Sequence, residues 1–226
     1  MRIGCRARVL AAARAPLYNE FKGNAMKNLF FLDVDTQRDF MLPTGALYVP
    51  GAERIIPKLR RLFDFARKND ISVLSSVDAH VAEDPEFRQF PPHCVQGTEG
   101  QRKIDETLLP RPMVLRNKPI DRNLADLVRK YQQIVVEKQT LCVFDNPVTE
   151  RLLKVLPPRA IVFGVATDYC VKEECLGLRR LGVQTALVTD AIRALAPKTE
   201  KEALEAMRQA GVEFIVLETL LGAGSA

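Results

Sequence analysis

Short apolar runs alternate with amphipathic stretches along nearly the whole chain, and few folds accept that pattern. The runs "NLFFLDV" (28–34), "ISVLSSVD" (71–78), "PMVLRN" (112–117), "QIVVEK" (133–138), "RAIVFGVA" (159–166), "VQTALVTD" (183–190) and "VEFIVLE" (212–218) read as strands. Helices are expected between most of them. Over 51–70, Ile55, Leu59, Leu62, Phe63 and Ala66 recur at three- and four-residue intervals, which puts them on one apolar face. Further helices are expected over 121–131, starting at an Asp, and over 146–156, with Pro147 in its first turn. Another should run from Asp168 to Leu181, capped by Thr167 and ended by Gly182, and a last one over 198–211. Strand–helix alternation predicts a three-layer α/β/α fold with a mostly parallel central sheet. Open sheets of this kind bind ligands beyond the carboxyl ends of their strands. Asp35, Asp78, Lys138 and the Gly164–Cys170 turn are therefore the places to look for chemistry.

Two segments stand outside the alternation. Residues 1–25 carry Arg2, Arg6, Arg8, Arg14 and Lys22 against Glu20 alone, which accounts for most of the formal charge of +5. They read as a basic, disordered leader or an upstream start, with the domain over 26–220 and a frayed tail over 221–226. Without the leader the chain is nearly neutral, so no basic face suggests nucleic acid. No apolar run approaches the roughly 18 residues of a membrane span. The five cysteines are odd in number and match neither a zinc ribbon nor a C-x-x-C motif, which fits a reducing, cytoplasmic setting. The stretch from Ala79 to about Arg111 is rich in Pro, Gly and charge. Long irregular loops in compact domains are usually functional.

Of the cysteines, Cys170 alone stands at a strand-to-helix turn, in "FGVATDYC". Free amides and the positive end of a helix there would stabilise a thiolate and could form an oxyanion hole. Cys175, inside the same helix, reads as an inert buried thiol. A thiol nucleophile needs a proton acceptor, and both histidines appear committed elsewhere. Asp33 and Asp35 end the first strand on the same face, and spacing does not choose between them. Lys138, at the end of another strand, could hold the thiolate and orient the acid. Asp78 and His80 stand two apart in "SSVDAH", and His93 lies in "QFPPHCVQGT". Two imidazoles and a carboxylate suit a divalent transition metal such as zinc, iron or manganese.

The segments "DTQRDF", a lysine beyond a later strand, and "GVATDYCV" resemble, in order, the signature segments of the isochorismatase-like cysteine hydrolases. The resemblance covers about residues 27–218. It implies an Asp35–Lys138–Cys170 triad, and Asp35 rather than Asp33 because it stands two residues before Gln37 and four before Asp39. It also implies a cis peptide before Ala166, with the Ala166 and Cys170 amides as oxyanion hole. Within the family, "DAH" and "FPPHC" are similar to the metal-binding segments of nicotinamidases. That similarity implies Asp78, His80 and His93 as ligands, with Glu86 as a fourth and Glu83 and Asp84 as competitors for that place. Two departures bear on the substrate: Phe90 stands where many nicotinamidases have Trp, and "QTLCVFDN" after Lys138 is not the expected segment.

The expected activity is hydrolysis of a small amide, nicotinamide to nicotinate and ammonia, through a thioester on Cys170. The alternative is another small amide or an isochorismate-type vinyl ether. Phe40, Phe90, Phe144 and Tyr169 are expected to wall the substrate pocket. The expected cofactor is one divalent metal and no organic group. The expected partners are a small amide and further copies of the chain, with no nucleic acid and no membrane.

Overall fold

The computed structural model describes residues 28–222. The leader and the last residues of the tail lie outside the described residues. Seven strands form one sheet: β1 (Leu29–Val34), β2 (Val73–Asp78), β3 (Met113–Leu115), β4 (Gln133–Lys138), β5 (Arg159–Val165), β6 (Gln184–Arg193) and β7 (Glu213–Ile215). Their order is β3-β4-β2-β1-β5-β6-β7, and every pairing is parallel.

Alternation along β1 builds both core layers. Leu29 and Phe31 point into one, Phe30, Leu32 and Val34 into the other. The first four α-helices along the described chain are α1 (Arg38–Met41), α2 (Ile56–Lys68), α3 (Leu124–Lys130) and α4 (Thr149–Leu153). They are followed by α5 (Lys172–Arg180), α6 (Pro197–Gln209) and α7 (Leu217–Gly222). The apolar stripe of α2, Leu59, Leu62, Phe63 and Ala66, fills the first layer, and α7 adds Leu217 and Leu220. The second layer takes Leu124 and Leu127 of α3, Leu152 of α4, Cys175 and Leu178 of α5, and Ala203 and Met207 of α6. Among the described residues no helix is long and apolar enough to cross a membrane.

Several boundaries differ from the sequence expectation. Helix α3 begins at Leu124, because Asn123 rather than Asp121 caps it: its Oδ1 accepts from the Ala125 amide at 3.0 Å. Helix α4 keeps only the middle of 146–156, and Pro147 precedes it. The last strand stops at Ile215, and the chain turns into α7. Asp190 Oδ1 accepts from the Leu217 amide at 2.8 Å and fixes that turn, while Leu217 and Leu220 reach the core on one face. Thr167 does not cap α5. The chain from Thr167 to Val171 forms a wide π turn, and the buried Thr167 hydroxyl has no hydrogen-bond partner.

Strands β1 and β5 are neighbours whose onward connections leave in opposite directions, β1 to β2 and β5 to β6. That divergence opens a crevice beyond their carboxyl ends. Gly164 lets the two strands approach there. Its φ is +120°, and a Cβ would lie 2.1 Å from the Val34 carbonyl oxygen. Gly164→Ala should therefore cost more than about 3 kcal/mol, since neither backbone can yield. Urea unfolding checks this, and a midpoint near that of the unsubstituted protein would contradict it.

Candidate active site

Positive backbone φ separates the two aspartates that the sequence left on one face. Asp33 keeps the strand alternation and accepts from Ser75 Oγ at 2.8 Å and from Lys103 Nζ at 2.5 Å. Asp35 has φ +48°, and this left-handed residue turns its carboxylate to the opposite side, where Ser76 Oγ donates to Oδ1 at 2.8 Å. Asp33 thus anchors the long loop through Lys103, and Asp35 faces the crevice.

Lys138, at the end of β4, is fully buried and meets three acceptors. Its Nζ lies 2.8 Å from Asp35 Oδ2, hydrogen-bonds Asp78 Oδ1, and stands 3.6 Å from Cys170 Sγ. Two of the three ammonium protons enter hydrogen bonds, to Asp78 and Cys170, and Asp35 Oδ2 is held by charge without an aligned hydrogen bond. Burial disfavours the Lys138 charge, but Asp35 and Asp78 outweigh it and hold the ammonium well above its ordinary range. Burial lifts Asp35 above the usual carboxylate range, against the pull of Lys138. Burial also opposes the charge on Asp78, yet Lys138 and the two imidazoles hold it well below that range.

Cys170 lies in the π turn. Burial raises its pKa well above the ordinary thiol value, Lys138 pulls it back, and Asp35 raises it further. Burial thus works against a Cys170 thiolate and the Lys138 ammonium works for it. The Val165–Ala166 peptide before the turn is cis. Ala166 and Cys170 both line the floor of the cavity.

Asp78, His80 and His93 come together, all buried, with one ligand atom of each within 4.8 Å of the others. Both Nε2 atoms lie 3.6 Å from Asp78 Oδ2. Pro91 O lies 2.8 Å from His93 Nδ1, and a carbonyl only accepts, so the proton sits on Nδ1 and leaves Nε2 a lone pair. Asp84 Oδ2 stands 3.0 Å from His80 Nδ1, close but without an aligned hydrogen bond. Burial works against a charged His80, but Asp78 and Asp84 push its pKa up to about 9. Neither ring nitrogen of the buried His80 has a hydrogen-bond partner, and Nε2 is the one turned to Asp78. An orphaned nitrogen aimed at a carboxylate and a second imidazole fits a divalent cation. Glu86 stays outside this cluster. It lines the cavity, and burial together with Asp78 raises its pKa. Asp84, a competitor for the fourth ligand place, is spent on His80 and on the Glu86 amide.

The segment "DTQRDF" ties these parts together. Gln37 clamps β2 by donating to Asp78 O at 2.8 Å and accepting from Asp78 N at 2.7 Å. Asp39 accepts from the Cys94 amide at 2.7 Å and so holds the segment that carries His93.

A cavity of about 360 Å³, counting its mouth, runs between Cys170 and the metal-type cluster. Phe40, Phe90 and Tyr169 line it with Leu47, Leu141 and Leu195. The Phe90 and Tyr169 rings meet edge to face at 5.6 Å, and Phe40 packs at 5.3 Å from His93. Phe144, expected in this wall, is elsewhere. Its ring lies against Gly177 of α5, where a Cβ would come within 2.1 Å, and it packs into the second core layer. A glycine on a helix facing an aromatic ring is the pairing that draws it away. Sequence reasoning missed Ser76 and Glu174. No spacing rule marks a hydroxyl in a strand or an acid in a helix as neighbours of Asp35.

A family model described as the Isochorismatase domain matches residues 30–123 and 110–219. The nicotinamidase of Escherichia coli is 28% identical over 211 residues, spanning 81% of this chain and 92% of that protein. The nicotinamidase of Saccharomyces cerevisiae is 24% identical over 196 residues, spanning 74% and 88%. Among solved structures, pyrazinamidase of Pyrococcus horikoshii in complex with zinc aligns with a TM-score of 0.70 at 26% identity. That alignment covers 84% of this chain and 99% of the other. The matches extend along the sheet and its helices from end to end, and the chain belongs to the isochorismatase family.

Proposed function

We propose that this chain is a nicotinamidase, which hydrolyses nicotinamide to nicotinate and ammonia through a thioester on Cys170. At the coarser level it is a nicotinamidase-like amidohydrolase acting on a small amide. One observation carries the finer reading. A thiol, a carboxylate and an ammonium converge beside an apolar cavity, and an Asp-His-His cluster adjoins them through the Lys138–Asp78 contact.

The proton on Cys170 passes to Asp35, whose Oδ2 has no well-aligned hydrogen bond to hold it otherwise. Sulfur attacks the amide carbon, and backbone amides around Ala166 and Cys170 receive the oxyanion. The C–N bond breaks as Asp35 returns the proton to the departing ammonia. Water then attacks the thioester, Asp35 takes its proton, and release of the acid restores the thiol. Lys138 stays charged throughout and keeps Asp35 oriented. Phe40, Phe90 and Tyr169 flank a flat ring and exclude water. Asp78, His80 and His93 would hold a divalent ion. When bound, that ion gives the pocket one electrophilic point for a ring nitrogen.

Ammonia release from nicotinamide, measured with and without chelator, tests the reading. Protein purified without chelator should carry close to one equivalent of zinc, iron or manganese. His80→Ala and His93→Ala should lose the metal and the turnover, while Cys170 still reacts with a small alkylating reagent. Metal retention should fall as pH is lowered, because a proton on His80 competes with the ion. A content below about 0.2 equivalents, unchanged after incubation with those metals, would reject the site. Turnover of other small amides or of a vinyl ether, without turnover of nicotinamide, would move the substrate elsewhere in the family.

A further inference from the structure

Glu174 is an unused acid behind the active site. It lies on α5, one turn beyond Cys170, and is completely buried. Neither carboxyl oxygen has a hydrogen-bond partner. The groups that act on it electrostatically or through a hydroxyl are Asp35 after β1, Ser76 and Asp78 on β2, Lys138 on β4, and the Cys142 and Cys175 thiols.

Donor accounting decides its state. Lys138 hydrogen-bonds Asp78 and Cys170 and stands as an ion pair 2.8 Å from Asp35 Oδ2, and no hydrogen bond from it reaches either oxygen of Glu174. The single hydroxyl proton of Ser76 goes to Asp35 Oδ1 at 2.8 Å. A carboxylate at Glu174 would find no donor among these neighbours, and a buried charge without one is costly. The lone pairs of Ser76 Oγ are free to accept, so the neutral acid fits where the anion does not. Burial and the nearby Asp35 raise its pKa well above the ordinary value and outweigh the opposing pull of Lys138 and the Ser76 hydroxyl.

We propose that Glu174 is a positioning residue: as a neutral acid it donates to Ser76 Oγ, which commits the Ser76 proton to Asp35 and fixes that carboxylate toward Cys170. The proposal rests on the reading of Asp35 as the base for Cys170.

The test compares Glu174→Gln, which keeps a donor, with Glu174→Met, which keeps the size and loses it. Glu174→Met should lower kcat about tenfold with KM unchanged, the effect of one lost hydrogen bond expressed in the transition state. It should also slow alkylation of Cys170 by iodoacetamide. Glu174→Gln should restore both to within about threefold of the unsubstituted protein. Ser76→Ala should match Glu174→Met, and the double variant should be no worse than either. Circular dichroism and thermal unfolding identify any variant that fails to fold, and Glu174→Gln against Ser76→Ala then decides the matter. Equal kcat in Glu174→Met and the unsubstituted protein, a Gln variant as impaired as the Met variant, or effects of Ser76 and Glu174 that multiply would each overturn the proposal. Retained turnover in Cys170→Ala would instead overturn the underlying reading, and this one with it.

Discussion

Cys170→Ala should yield a folded protein with no measurable amide hydrolysis. The residue is small and 6% exposed, so Ala replaces it with little change in packing. What disappears is the only sulfur within reach of Lys138 and Asp35 among the described residues. Loss of a nucleophile costs several powers of ten, so activity above about 1% would contradict the assignment. Cys175→Ala is the control. That thiol is buried in the second core layer, where burial raises its pKa, and it makes no contact with the cavity. Its removal should lower stability modestly and leave kcat in place.

The second large effect concerns the pair that serves the thiol. Asp35→Asn keeps the shape and removes the base, and should lower kcat by about 10²- to 10⁴-fold. Lys138→Met keeps the stem and removes the charge. It leaves Asp35 and Asp78 buried without their shared cation, which costs about 3–5 kcal/mol in comparable buried pairs. Activity must therefore be read below the new unfolding midpoint, located by calorimetry. Because the two side chains act on one sulfur, the double variant should be barely slower than the worse single one. Independent, multiplying losses would make Lys138 a structural lysine only.

Much of the fold was legible because parallel sheets write themselves into sequence as apolar runs of fixed length separated by amphipathic stretches. The misplaced boundaries share a cause. Asn123, Asp190 and the Thr167 turn depend on which distant backbone group a side chain meets, and local pattern does not carry that. The candidate site divides in the same way. Residues at strand ends could be found because topology alone brings strand ends together. Alternation alone could not separate Asp33 from Asp35, because that needs a left-handed residue where alternation predicts an extended one, and only the family resemblance pointed to Asp35. Phe144 failed for a simpler reason: an aromatic near a site goes to the nearest void of its own size, and Gly177 supplies one. Asp84, a competitor for the fourth ligand place, lies beside His80 Nδ1, a placement that depends on where the His80 ring points.

The central place of β1 has a consequence for how the molecule comes into being. β1 is synthesised first, yet one of its two partners, β5, spans residues 159–165 and is made late. Until then its apolar edge has no partner on that side, and such edges recruit other chains. A nascent chain on the ribosome thus holds Asp35 long before the neighbour that carries Cys170 can dock. Folding of this order is governed by distant pairing and is slow, and any chain released before residue 165 exposes an adhesive strand.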